Sequence, residues 1–217
     1  MEILQSIIDF TLHIDEKLQY FISEYGTLTY AILFLIVFVE TGLIVMPLLP
    51  GDSLLFAAGA LAAAPGSDLK IYIIIPLLIL AALCGDNVNY FIGKFFSAQI
   101  KKRERILFFK KKYIEDTEAF YEKHGGKTVI MARFVPIVRT IAPFVAGASN
   151  MDYRKYITFC IAGAVLWVVG LSMLGYAFGN LEIVKNNFEI VILSIIAISV
   201  LPIIVGFIRS KLSKKTA

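Results

Sequence analysis

Residues 30–64 read YAILFLIVFVETGLIVMPLLPGDSLLFAAGALAAA, an apolar run interrupted by Pro47, Pro50 and Gly51 and carrying two carboxylates, Glu40 and Asp52. A second run, TVIMARFVPIVRTIAPFVAGAS at 128–149, is broken in the same way by Pro136 and Pro143 and carries Arg133 and Arg139. Proline removes a backbone donor and turns its neighbour away from helical geometry, so neither run makes one unbroken helix. A charge at bilayer depth costs roughly 2.5 to 3.5 kcal/mol, so four of them imply a purpose. Acid in one broken segment and base in the other point to a polar site near the midplane of a membrane transporter.

The rest of the chain agrees with a membrane setting. Its 217 residues are 58% hydrophobic, with a mean hydropathy of +0.77. Residues 71–93, IYIIIPLLILAALCGDNVNYFIG, and 188–211, FEIVILSIIAISVLPIIVGFIRSK, are apolar on every face rather than along one stripe. Spans are expected over 71–93, 156–178 and 188–208, each near the roughly 20 residues that cross a bilayer. The halves of the two broken runs are too short or too charged to do so, and re-entrant helical hairpins over 28–64 and 128–149 fit them better. Residues 1–27 spread apolar positions at helical spacing between acids and predict an amphipathic interfacial helix, not a cleaved signal peptide.

Charge placement gives the orientation. Residues 94–127 hold ten Lys/Arg and five acids, 209–217 form a basic tail, and 1–27 hold five acids and one lysine. The net charge of +4 therefore reads as a positive-inside signal with attraction to anionic lipid, and no nucleic-acid partner is expected. With the tail in the cytoplasm, every basic cluster falls on that side only if both hairpins are re-entrant. They then enter from opposite faces, each followed by a span, as an inverted repeat would have it. The expected fold is an all-α polytopic membrane protein: an N-terminal helix (1–27), a transport unit (28–208) and a basic tail (209–217). Sequence likeness between the halves is limited to the broken pattern and its proline and glycine punctuation.

Arg133 and Arg139 flank Pro136, and their planar forks suit bidentate binding of phosphate. The competing reading is that each only neutralises Glu40 or Asp52. Glu40, deep in an apolar helix, is a carboxyl able to take and release a proton, whereas Asp52 after Gly51 serves equally well as a helix cap. GDNVNYFIGK at 85–94 reads as the polar cytoplasmic end of a span, with Asp86 and Asn89 as supporting residues should they reach the site. His13 and His124 belong to no cluster, Cys84 and Cys160 read as small apolar residues, and no nucleophile and base pair or nucleotide fingerprint occurs. No enzyme activity, metal or cofactor is expected.

FVETGLIVMPLLPGDSLLFAAGALA, GDNVNYFIGK and FYEKHGGKTVIMARFVPIVRTIAPFVAGASNMDYRKY follow one another along the chain. In order and spacing they resemble the DedA family of bacterial membrane proteins, also called the SNARE-associated or VTT-domain family, over residues 28–180. The resemblance implies two facing re-entrant hairpins, and an acidic pair and an arginine pair needed for activity at Glu40, Asp52, Arg133 and Arg139. It also implies a place in the bacterial inner membrane and a link to recycling of undecaprenyl phosphate, to phosphatidylethanolamine movement or to proton-dependent tolerance of alkali and cationic compounds. The expected function is proton-coupled transfer of a lipid phosphate between leaflets, with Arg133 and Arg139 on the head group, Glu40 and Asp52 coupling to protons, and Asp86, Asn89, Pro136 and Gly51 in support. The alternatives are a phosphatidylethanolamine flippase or scramblase and an exchanger of small cations or drugs. The expected partners are membrane lipid and protons, and homo-oligomerisation is left open.

Overall fold

The computed structural model describes residues 26–42, 51–100, 127–149 and 151–182, with short pieces at 24, 105–106 and 109–110 and between 184 and 197. In chain order these give α1 (Leu28–Gly42), α2 (Gly51–Ala62), α3 (Ile71–Ile100), β1 (Arg105–Ile106), β2 (Phe109–Lys110), α4 (Lys127–Ala132), α5 (Pro136–Ala148) and α6 (Tyr153–Phe178). β1 and β2 form a single antiparallel rung, Arg105 opposite Lys110 and Ile106 opposite Phe109. The helical class stands.

Among the described residues, two helices are long and apolar enough to cross a bilayer, over Ile71–Ser97 and Tyr153–Phe178, and only 33% of each apolar window is buried inside the protein. Leu80, Phe91, Phe95, Leu166 and Leu174 are all exposed on them. A soluble core helix would hide such residues, and these present them to lipid. α6 starts at an Asp152 cap whose carboxylate accepts from the Lys155 N–H at 3.0 Å. Expected as 156–178, that span begins three residues earlier. The 71–93 span is corrected more substantially, because the helix runs on to Ile100 through the polar residues taken to end it.

The four helices of the broken segments are short. At about 1.5 Å per residue, α1 is ~22 Å long and α2 ~18 Å, against ~30 Å of hydrocarbon. In the second segment the break falls at 133–135, where Val135 is extended and Pro136 opens α5. Residues 43–50, where the first segment breaks, lie outside the described residues, as do residues 1–23 of the N-terminal helix expected over 1–27, most of the 94–127 basic stretch, the far part of the 188–208 span and the basic tail.

Packing follows an exchanged pattern. α1 lies along α3, the span of its own half, while α2 lies along α6, the span of the other half. In the second half α4 lies along α6 and α5 along α3. The tightest crossings repeat the same residues. Phe56-Ala57-Ala58-Gly59-Ala60 on α2 and Phe144-Val145-Ala146-Gly147-Ala148 on α5 share one signature. The Phe56 carbonyl fills the space a Gly175 side chain would need, and the Ser172 carbonyl does the same to Gly59. The Phe144 carbonyl stands against Gly93 and the Tyr90 carbonyl against Gly147. Small residues let backbones touch, which is how membrane helices associate where apolar burial gives little drive. A core of Leu33, Leu54, Leu55, Ile74, Leu78 and Trp167 fills the first half, and Tyr90, Val129, Tyr156 and Cys160 fill the second.

Candidate functional site: two buried ion-pair clusters on one tryptophan

The charges singled out in the sequence converge. Glu40, near the end of α1, is fully buried, and Arg133 and Arg139 are 3% and 4% exposed. Arg139, in the first turns of α5, donates through Nη1 to Asp52 Oδ1 at 2.8 Å and through Nη2 to Glu40 Oε1. One guanidinium thus ties the first turn of α2 to the last turn of α1. Glu40 lies against Gly51, where any side chain would collide with its carboxylate. Gly51 is required there for space.

Arg133 does not share those acids. At the break between α4 and α5 it donates through Nη1 to Asp86 Oδ2, a residue in the middle of α3 that is fully buried. This corrects the reading of Asp86 as part of a polar helix end. The competing reading, in which each arginine neutralises Glu40 or Asp52, holds for Arg139 and not for Arg133. The same Asp86 oxygen accepts from Cys160 Sγ at 3.1 Å, and the Tyr156 hydroxyl donates to the Asp86 backbone carbonyl at 3.0 Å. Cys160 is buried as expected and is more than a space-filler.

Trp167 joins the clusters. Its indole N–H donates to Asp52 Oδ1 at 2.7 Å, while Arg139 Cζ sits 4.5 Å and Arg133 Cζ 5.2 Å from the ring centroid. A desolvated cation over an indole face gains about 2 kcal/mol, so one ring holds both guanidiniums in place. Trp167 had no role in the sequence reading. The available signal was an aromatic with a polar handle at the centre of an apolar helix.

Asn89 acts one helix turn from Asp86. Its Nδ2 donates to the Thr140 carbonyl at 2.6 Å and reaches that of Thr41 at 3.4 Å, bridging α5 to the end of α1. It joins the two broken segments without touching a charge. Pro136 contributes through the backbone as the first residue of α5. Asp52 lies in the first turn of α2, where its carboxylate is taken up by Arg139 and Trp167.

Three buried or nearly buried carboxylates face two guanidiniums. With all five ionised the cluster carries one net negative charge, and charge at this depth is costly unless compensated. A proton or a cation would balance it. An anion on the guanidiniums would add to the negative charge, so its arrival and protonation of a carboxylate would bear on each other.

The VTT domain matches residues 49–177. Protein DedA of Escherichia coli K12 is 49% identical over 211 residues, 97% of this chain and 96% of that protein. The uncharacterized membrane protein Rv0364 of Mycobacterium tuberculosis is 43% identical over 183 residues, 84% of this chain and 80% of its own length. Inner membrane protein YqjA of E. coli K12 is 32% identical over 151 residues, 70% of this chain and 68% of its own length. No solved structure matches.

Proposed function

The chain belongs to the DedA family of membrane proteins, the VTT-domain family, and from that premise we propose that it is a transporter, not an enzyme, carrying a lipid monophosphate such as undecaprenyl phosphate between leaflets with proton coupling. The observation that carries this reading is a pair of buried guanidiniums on one indole, where two broken helices meet between two lipid-facing spans. Guanidinium is the side chain best suited to phosphate, and it stays charged out of water. Glu40 and Asp52, joined to Arg139, are the groups that would exchange protons as the head group arrives and leaves. The short half-helices and their exchanged packing support re-entrant hairpins related as an inverted repeat, the plan that places a substrate site at the midplane. The bacterial inner membrane, with the C-terminus in the cytoplasm, is the setting this reading takes.

The test is transbilayer movement of undecaprenyl phosphate in proteoliposomes, with and without a pH gradient. Wild type is expected to move the lipid and to respond to the gradient. Arg139→Ala, checked for folding by gel filtration, is expected to lose movement. Failure of well-folded wild type to move this lipid refutes the substrate and turns the question to phosphatidylethanolamine.

One observation favours a second reading. Three acids against two arginines leave the site one charge negative, which suits a small cation exchanged for protons. In that case sealed vesicles lacking any lipid phosphate would discharge a pH gradient when a monovalent or lipophilic cation is added.

A further inference from the structure

The two arginines differ in what they have left to give. A guanidinium presents five donors in a plane, and its Nε and Nη2 hydrogens form one edge that matches two oxygens of a phosphate. On Arg139, Nη2 is taken by Glu40 and Nη1 by Asp52. On Arg133 only Nη1 is engaged among the described residues, by Asp86, and both Nε and Nη2 are buried without an acceptor there, whereas on Arg139 only Nε is so placed. The second oxygen of Asp86, Oδ1, is likewise buried without a donor. Asp86 is meanwhile pinned from α6 by the Cys160 thiol and, through its backbone, by the Tyr156 hydroxyl. It stays beside Arg133 whatever occupies the free edge.

Resting on the lipid-phosphate reading above, we propose that Arg133 receives the anionic head group on its free Nε and Nη2 edge, and that Asp86 is a fixed negative charge that keeps the head group from being held too tightly to leave. Like charges forced together at a buried site weaken binding strongly, and here that penalty is built into the guanidinium's other end. A carrier gains from this, since a ligand that cannot dissociate is not transported. Arg133 Cδ lies 3.4 Å from where a side chain at Gly163 on α6 would begin.

Trp167, the chain's single tryptophan, lies under both guanidiniums and gives the readout. The full-length protein in detergent is titrated with farnesyl phosphate, a short prenyl monophosphate, and with uncharged farnesol, following tryptophan fluorescence. Wild type is expected to show a saturable change with farnesyl phosphate only. Asp86→Asn is expected to bind farnesyl phosphate about tenfold more tightly, because the opposing charge is gone. Arg133→Lys, which keeps the charge and the Asp86 pair but has no planar edge, is expected to bind at least about tenfold more weakly. Unchanged or weaker binding by folded Asp86→Asn overturns the proposal, as does Arg133→Lys binding like wild type, and the latter reads out even if Asp86→Asn does not fold. Monodisperse wild type that does not distinguish farnesyl phosphate from farnesol overturns the lipid-phosphate reading itself, and this proposal with it.

Discussion

A methyl group added at Gly51 would meet the Glu40 carboxylate, and the clash is with the end of a side chain rather than with backbone. Glu40 can yield, but only by leaving Arg139. Gly51→Ala is therefore expected to reduce transport sharply and also to lower the thermal unfolding midpoint, because a buried charge left without its partner is costly. At Trp167 two contributions separate. Trp167→Phe keeps an aromatic face for the guanidiniums and loses the bond to Asp52, costing about 1 kcal/mol. Trp167→Ala empties a core position and is expected to cost about 3 to 5 kcal/mol. Denaturant or thermal unfolding in detergent distinguishes them. The charged residues of this site were legible from the sequence because an ionised group in an apolar run stands out. Their partners were not, since Arg139 is 99 residues from Glu40 and 87 from Asp52. Asp86 was read as a helix end for a physical reason: the basic run that follows suggested an interface, but α3 continues to Ile100, just short of that run.

Between elements the glycines act as spacers. Carbonyl oxygens of Phe56 and Phe144 stand where side chains at Gly175 and Gly93 would go, so alanine at either position must push two helices apart. Gly175→Ala and Gly93→Ala are each expected to destabilise by about 1 to 3 kcal/mol, seen as a lowered unfolding midpoint and lost monodispersity. Gly170→Ala is the control on the same α6, because nothing lies within 4 Å of its added methyl. It should be neutral or stabilise by up to about 1 kcal/mol through helix propensity. The existence of the elements could be read from proline placement and apolar runs. Which helix covers which could not, because helices that are apolar all round carry no stripe to mark a facing partner. The shared Phe-x-Ala-Gly-Ala signature is short enough to pass as composition until its two copies are seen making the same contact.

For the whole molecule, the uneven charge predicts an orientation, with the acidic N-terminus outside and the basic C-terminus inside. A fluorescent protein fused at the C-terminus is expected to fold and fluoresce, and alkaline phosphatase fused at the N-terminus behind an export signal to be active. The opposite pattern would reverse the orientation. The exchanged packing also has a consequence in time. During synthesis α2 emerges long before α6, the helix it lies against, and Asp52 is made 115 residues ahead of Trp167. Until then the Asp52 carboxylate lacks its indole donor and the face of α2 that carries Gly59 lacks the helix it packs on. The first half therefore has to wait at the membrane for the second, and the site can close only when α6 arrives.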